Sequence, residues 1–316
     1  MKIVITDIDT VTQNDLSFEG IEALGEVVRY SVTDETEVAE RIKDADVILC
    51  NKTLLNRNNL KNAEKLKYIG LFATGFNNID IPYCKEKGIV VCNSPNYSTD
   101  AVAQLTFAFI LELANRVYAY KSLTDRGDWI KSRTFSMFPI PIMELKGKTL
   151  GIIGLGSIGQ KTAEIGNAFG MNVIAFSRSP KNIKNVNQTD LETVLKESDI
   201  LSLHCPLNKD SENLINKDTI ARMKDGAILI NTSRGAVVNE KDVADALKSG
   251  KLSAMGTDVL QKEPMLPDCP LYGLENCIIT PHIAWAGRET RERLMKIVED
   301  NLKGFINGKI QNNVAF

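Results

Sequence analysis

The chain has 316 residues, 43% of them hydrophobic and 25% charged, with a formal net charge of −2 and a pI near 5.9. That length suits about two globular domains, and the near-neutral balance gives no electrostatic reason to expect nucleic acid or an anionic membrane as a partner. The longest mostly apolar helical run, Ala101 to Leu111, falls well short of the roughly 20 residues that span a bilayer, and acids interrupt the N-terminal MKIVITDID too early for a signal peptide, so a cytoplasmic protein is expected.

In chain order, Lys2 to Thr6 predicts a strand, Glu35 to Lys43 a helix, Val47 to Cys50 a strand and Asn59 to Leu66 a helix. Tyr68 to Phe72 is strand-like again, followed by the turn Thr74-Gly75-Phe76-Asn77-Asn78, a helix at Ile81 to Glu86 and a strand at Ile89 to Cys92. This βαβα alternation predicts a parallel-sheet domain. A helix from Asp100 to about Tyr118, apolar nearly all round, is expected to be buried or to join two domains. Ser132 to Glu144, with Pro139 and Pro141, shows little periodicity and predicts an irregular connection.

The stretch from Gly151 to Ser179 organises the second half of the chain. An apolar strand, Thr149 to Ile153, runs into Gly154, Gly156 and Gly159 in G-x-G-x-x-G spacing. A helix from Ser157 to Phe169 and a second strand, Val173 to Phe176, complete a βαβ unit, the setting in which those glycines bind a dinucleotide pyrophosphate. Gly154 permits the tight turn, Gly156 lets backbone approach phosphate, and Gly159 lets the helix pack on the strand. Amides at the helix start, near Ser157 and Ile158, then face the phosphate charge. The second strand ends in Ser177-Arg178-Ser179 with no carboxylate. A carboxylate there holds the ribose 2′-OH of NAD, whereas hydroxyl and guanidinium groups can donate to a 2′-phosphate, so NADP is expected over NAD. Alternatively Arg178 is a solvated loop residue and NAD is tolerated.

Later strands are predicted at Ile200 to His204, Ala227 to Ile230, Ala254 to Asp258 and Cys277 to Thr280, with helices at Leu191 to Glu197, Thr219 to Met223, Glu240 to Ser249 and Arg288 to Asn307. Ligands bind beyond the carboxyl ends of parallel strands. Arg234, Glu263 and His282 all fall on loops there. Reduction of a 2-oxo acid needs a cation for its carboxylate, an acid for its oxygen and a carboxylate to support that acid, roles suited to arginine, histidine and glutamate. His204, at a strand end, reads as structural, and Trp285 either shapes the pocket or packs. Six scattered cysteines without C-x-x-C spacing predict reduced thiols, and two histidines argue against a multi-histidine metal centre, so no metal is expected.

On these motifs the chain resembles the D-isomer-specific 2-hydroxyacid dehydrogenases. The likeness covers essentially the whole length: ATGFNNID at Ala73–Asp80, the glycine loop, SLHCPL at Ser202–Leu207, INTSRG at Ile230–Gly235, TDVLQKEP at Thr257–Pro264 and TPHIA at Thr280–Ala284. NKT at Asn51–Thr53 and VAQ at Val102–Gln104 look most like the glycerate dehydrogenase (hydroxypyruvate reductase) branch. The resemblance implies that Arg234 binds the substrate carboxylate and carbonyl, with His282 as acid/base, Glu263 as its partner and Asp258 on the nicotinamide carboxamide. It also implies that amides around Thr74 and Gly75 hold the substrate, and that Ser157-Ile158, Cys205-Pro206 and Thr232-Ser233 line the cofactor. The implied fold is α/β, two doubly wound parallel-sheet domains. A Rossmann dinucleotide-binding domain (99–286) is inserted into a flavodoxin-like substrate domain (1–98 and 287–316), usually in a homodimer. The chain departs from the common pattern at Ser177 and at Gln104, where many members carry glutamate, and it ends too soon after its last helix for the regulatory domain of longer relatives. The expected activity is reduction of hydroxypyruvate or glyoxylate; the alternatives are pyruvate or a bulkier 2-oxo acid and, from another class, a cofactor-sensing, corepressor-like scaffold.

Overall fold

Short apolar strands alternating with helices bury their faces only by layering, and here they build two all-parallel sheets. The computed structural model describes residues 1–316, which divide into two units: Met1–Ser98 with Ala286–Phe316, and Thr99–Trp285.

The first unit contains β1 (Lys2–Ile5), α1 (Glu19–Glu22), β2 (Glu26–Arg29), α2 (Val38–Ile42), β3 (Val47–Cys50), α3 (Arg57–Leu60), β4 (Tyr68–Leu71), α4 (Ile81–Lys87) and β5 (Val90–Cys92). Its sheet order is β2-β1-β3-β4-β5, the flavodoxin-like doubly wound pattern. Strands β3 and β4 are buried at every residue, so they are continuous apolar runs. The edge strand β2 reads EVVR and is partly exposed, which is why the apolar pattern does not announce it. The helix expected at Asn59 to Leu66 instead spans α3. Asn56 accepts from the amides of Asn58 and Asn59 while Asn59 accepts from the Asn56 amide, and this capping box starts the helix earlier.

The second unit runs through α5 (Thr99–Asn115), α6 (Val117–Asp125), β6 (Thr149–Ile153), α7 (Ser157–Ala168), β7 (Asn172–Phe176), β8 (Asn187–Gln188), α8 (Leu191–Glu197), β9 (Ile200–Leu203), α9 (Lys217–Arg222), β10 (Ala227–Asn231), α10 (Glu240–Ser249), β11 (Leu252–Thr257) and β12 (Cys277–Ile279). The order β12-β11-β10-β9-β6-β7-β8 is the Rossmann pattern carrying one further strand. The helix expected to run to Tyr118 breaks at Arg116, whose φ of 53° is left-handed, and α6 restarts beyond it. After the break, Tyr118, Trp129, Ile130, Phe135, Phe138 and Ile142 are all exposed. No helix is long and apolar enough to cross a membrane.

The final helix, α11 (Arg288–Ile306), belongs to the first unit, where Phe305 lies 4.8 Å from the Tyr68 ring of β4. Its Arg291 grips Asp15 with two nitrogens at 2.7 and 2.6 Å and donates from Nε to the Ala286 carbonyl at 2.8 Å.

The Arg291 hydrogen bonds, with help from the Gln13 amide, hold the Asp15 carboxyl well below the usual carboxylate range. A folded pKa below the unfolded value means that Asp15 adds stability above about pH 4 and loses it as pH falls toward the folded value. The Tm of the wild-type protein should therefore fall more steeply between about pH 5 and pH 3 than that of Asp15→Asn. Parallel Tm curves would show that the pair adds nothing.

Candidate active site

Parallel strands deliver their exit loops to one edge, and in the second unit six of them, β6, β7 and β9 to β12, build the site. Strand β6 lies between β7 and β9, so the connections leave it in opposite directions and open a crevice at its end. There Gly154 adopts φ +102°, and a Cβ on it would sit 2.7 Å from backbone atoms of His204 and Cys205. A Cβ on Gly159 would lie 2.0 Å from the Gly154 carbonyl oxygen, so only glycine lets α7 close on the turn. Gly156 differs. Its φ is an ordinary −70°, and a Cβ there meets nothing within 4 Å. Neither strain nor packing within the chain explains that glycine, whereas a group laid against the loop from outside does. Gly156 is also the N-cap of α7 and brings no capping side chain, so amides of the first turn, among them Ser157 and Ile158, suit a phosphate. These residues fit a dinucleotide pyrophosphate.

At the end of β7, the Ser177 hydroxyl donates to the Ser179 carbonyl at 2.6 Å. Gln188 of β8 braces the same turn by donating to the carbonyls of Ser177 and Ser179 at 3.2 and 3.1 Å. Arg178 stands out in solvent, 3.7 Å from Asp210 with both side chains more than two-thirds exposed, an arrangement that contributes little stability. Burial raises the Cys205 thiol pKa and the Arg178 charge opposes that rise, so the exits of β7 and β9 lie within electrostatic reach.

Farther along the edge, Thr232 shares a 3.0 Å hydrogen bond with Thr106 of α5, and Ser233 donates through its amide and hydroxyl to Asn231 at 3.0 and 2.8 Å. The Pro206 carbonyl accepts from Ser211 at 2.6 Å. His204 is not an available acid. Its Nε2 pairs with Ser202 at 2.9 Å, its Nδ1 is buried without a partner, and burial pushes its pKa down to about 3.

Strands β10, β11 and β12 are neighbours, and their loops carry Arg234, Glu263 and His282. Glu263 Oε2 meets His282 Nδ1 at 2.7 Å, and Glu263 Oε1 accepts from the Leu260 amide at 3.0 Å. Arg234 is exposed, with Nη1 donating to the Ser233 carbonyl at 2.7 Å, and Asn231 donates to the Arg234 carbonyl at 3.0 Å. The two loops touch at Gly235, where a Cβ would lie 1.9 Å from the Leu260 carbonyl carbon. His282 itself has φ +56°, unusual for a non-glycine residue and costing about 1–3 kcal/mol. Asp258 holds that turn. Only 1% exposed, its carboxylate accepts from Thr280 Oγ1 at 2.5 Å and from the amides of Ile283 and Ala284 at 2.8 Å each. Its carbonyl accepts the His282 amide at 2.9 Å, and Trp285 Nε1 donates to the His282 carbonyl at 3.0 Å.

Thr74 and Gly75 belong to the first unit. Within it Thr74 donates from its hydroxyl to the Ser94 carbonyl and accepts at its own carbonyl from Asn93, both at 2.7 Å. The clamp by Asp258 on residues 280–284 was not legible in the sequence; the only local signal was an acid ending an apolar strand.

Residues 107–284 match the family profile described as "D-isomer specific 2-hydroxyacid dehydrogenase, NAD binding domain". The chain is 43% identical over 320 residues to the hydroxypyruvate reductase of Blautia hydrogenotrophica, with 99% of each chain covered. Among solved structures, an acyclic imino acid reductase in complex with NADPH and D-Arg superposes with TM-score 0.89 at 31% identity, covering 99% of this chain and 100% of that one. A D-lactate dehydrogenase from Aquifex aeolicus complexed with NAD and lactic acid superposes with TM-score 0.86 at 33% identity, covering 99% of both.

The two loop glycines separate binding from folding. Gly156→Ala should keep Tm within a few degrees of wild type yet weaken dinucleotide affinity by about tenfold or more, because its Cβ meets nothing within 4 Å inside the chain and stands where a phosphate approaches. Gly159→Ala should instead lower Tm markedly, since its Cβ collides with backbone. Thermal unfolding and cofactor fluorescence titration of both variants check the contrast; equal destabilisation would refute it.

Proposed function

The chain belongs to the D-isomer-specific 2-hydroxyacid dehydrogenases, and from that premise we propose that it reduces a small 2-oxo acid, hydroxypyruvate or glyoxylate, with NADPH preferred over NADH. The observation that carries the proposal is the 2.7 Å pairing of His282 with Glu263, whose loop packs against the one bearing Arg234, at the edge that also carries the glycine fingerprint. When bound, the reduced nicotinamide supplies a hydride to the carbonyl carbon.

The protein side chains do the rest. Glu263 engages Nδ1 of His282, which leaves Nε2 as the ring nitrogen for substrate. The carboxylate fixes the ring, and His282 delivers a proton to the carbonyl oxygen. Arg234 offers a planar pair of N–H donors for the substrate carboxylate and polarises the carbonyl. Asp258 receives the nicotinamide carboxamide: a carboxylate has about four acceptor sites, and three of its own are taken by Thr280, Ile283 and Ala284. Cys205, Pro206, Thr232 and Ser233 complete the lining. The preference for NADPH is supported by the absence of a carboxylate at Ser177 and by the exposed Arg178 guanidinium beside it. The exposed apolar side chains between Tyr118 and Ile142 support a homodimer, because monomers rarely leave such a stretch in water.

A panel of 2-oxo acids assayed with both reduced cofactors tests the reading. Hydroxypyruvate and glyoxylate with NADPH should give the highest kcat/KM. A preference of about tenfold for NADH, roughly 1.4 kcal/mol, would overturn the cofactor assignment, and no turnover of any 2-oxo acid would overturn the activity. His282→Gln should lower kcat by about 10²–10⁴-fold while leaving NADPH affinity unchanged; normal turnover would remove His282 from the chemistry. Ile130→Asp combined with Phe135→Asp should convert a dimer into a soluble monomer in light scattering.

A further inference from the structure

We propose that Glu240 is a positioning residue for the Glu263–His282 pair and acts through the backbone on either side of Leu260, an inference that rests on the reading of that pair given above. Glu240 is the first residue of α10 and is only 9% exposed. An acid in a first helical turn is ordinary, since it faces the positive end of the helix dipole. Such acids usually stay in water, however, and the cap of α10 is supplied by Asn239, which accepts from the Asp242 amide at 3.1 Å. The side chain of Glu240 turns away from its own helix. Its Oε1 accepts the Gln261 amide at 2.6 Å, and its Oε2 lies 3.9 Å from Cys269 Sγ.

The backbone it holds is tied at neighbouring points. The Leu260 amide donates to Glu263 Oε1 at 3.0 Å, the Leu260 carbonyl abuts Gly235, and the Gln261 side chain donates to the Val238 carbonyl at 2.7 Å. Two consecutive peptide units, hinged at the Leu260 Cα, thus join Glu240 to the carboxylate that meets His282. Burying a carboxylate costs hydration, and the shortest hydrogen bond of this one goes to that backbone. If Glu240 withdraws, the Gln261 amide loses its acceptor, the backbone at Leu260 shifts, and the Leu260 amide places Glu263 less well against Nδ1 of His282. Misplacement of about 1 Å is enough to cost up to 10²-fold in rate. The ionisable groups around this node are the Cys269 and Cys277 thiols beside Glu240, with Cys277 pushed up to about 12 by burial, and His282 and Asp258 beyond Glu263.

The test uses Glu240→Asp, which keeps the charge but draws the carboxylate back by about 1.5 Å, and Glu240→Gln, which keeps an oxygen at the original reach. Glu240→Asp should lower kcat about tenfold while leaving the KM for the 2-oxo acid and the NADPH affinity unchanged, whereas Glu240→Gln should match wild type in all three. Glu263→Gln serves as the reference and should lower kcat in the same way. If Glu263→Gln lowers kcat and Glu240→Asp changes only Tm, the role of Glu240 is overturned and the pair stands. Impairment of Glu240→Gln equal to that of Glu240→Asp would also overturn it, because the acceptor oxygen would not be what matters. If Glu263→Gln leaves kcat at the wild-type value, the reading of the pair fails and this inference falls with it.

Discussion

A carboxylate taken out of water must find donors, and Asp258 finds them in the segment that carries His282. Its side chain, at the very end of β11, accepts from Thr280, Ile283 and Ala284, and its carbonyl accepts from His282 itself. Those bonds are the counterweight to a left-handed backbone at His282, a conformation that L-residues adopt only when their surroundings over-determine it. The ring is then presented to Glu263 at hydrogen-bonding distance. Local bonds add to this, since the His282 amide also lies 3.0 Å from the Thr280 carbonyl and Trp285 donates to the His282 carbonyl, while the buried acid ties the segment to the end of β11.

The sheet does the coarser placement. Because every strand of the second unit runs the same way, all exits fall at one edge, and strand order alone decides which loops become neighbours. Gly154 and Gly159 are needed by the chain's own packing, since a side chain on either would strike backbone. Gly156 is needed by nothing inside the chain. The same six-residue motif therefore contains two structural glycines and one whose reason lies outside the polypeptide. Gly235 plays a third part: its missing Cβ lets the loop bearing Arg234 lie directly on the carbonyl of Leu260, the residue whose amide meets Glu263.

The other polar groups at this edge are mostly engaged by their own chain. Thr232 is tied to Thr106, Ser233 to Asn231 and His204 to Ser202. Burial pushes the His204 pKa down to about 3, so of the two histidines at this edge only His282 stands paired with a carboxylate. Preorganisation of this kind suits a reaction that moves one hydride and one proton, because the groups need not reorganise as charge develops.

The α/β class and the two parallel sheets came from the sequence itself: apolar runs four to six residues long, punctuated by glycine and polar turns, can be buried only as central strands covered by helices. The G-x-G-x-x-G loop and the strand-end positions of Arg234, Glu263 and His282 were equally legible, since spacing and position are local properties of the chain. The tertiary structure alone decided the rest. Edge strands β2 and β8 are short and partly polar and exist only because a neighbour pairs with them. Arg116 turns left-handed inside a run that reads as one helix. Asp258 and Glu240 look like an ordinary strand-end acid and an ordinary first-turn acid, and each has its partners at least 21 residues away in sequence. Propensity and periodicity act over one or two turns of chain, whereas a buried carboxylate takes whichever donors the folded backbone brings to it.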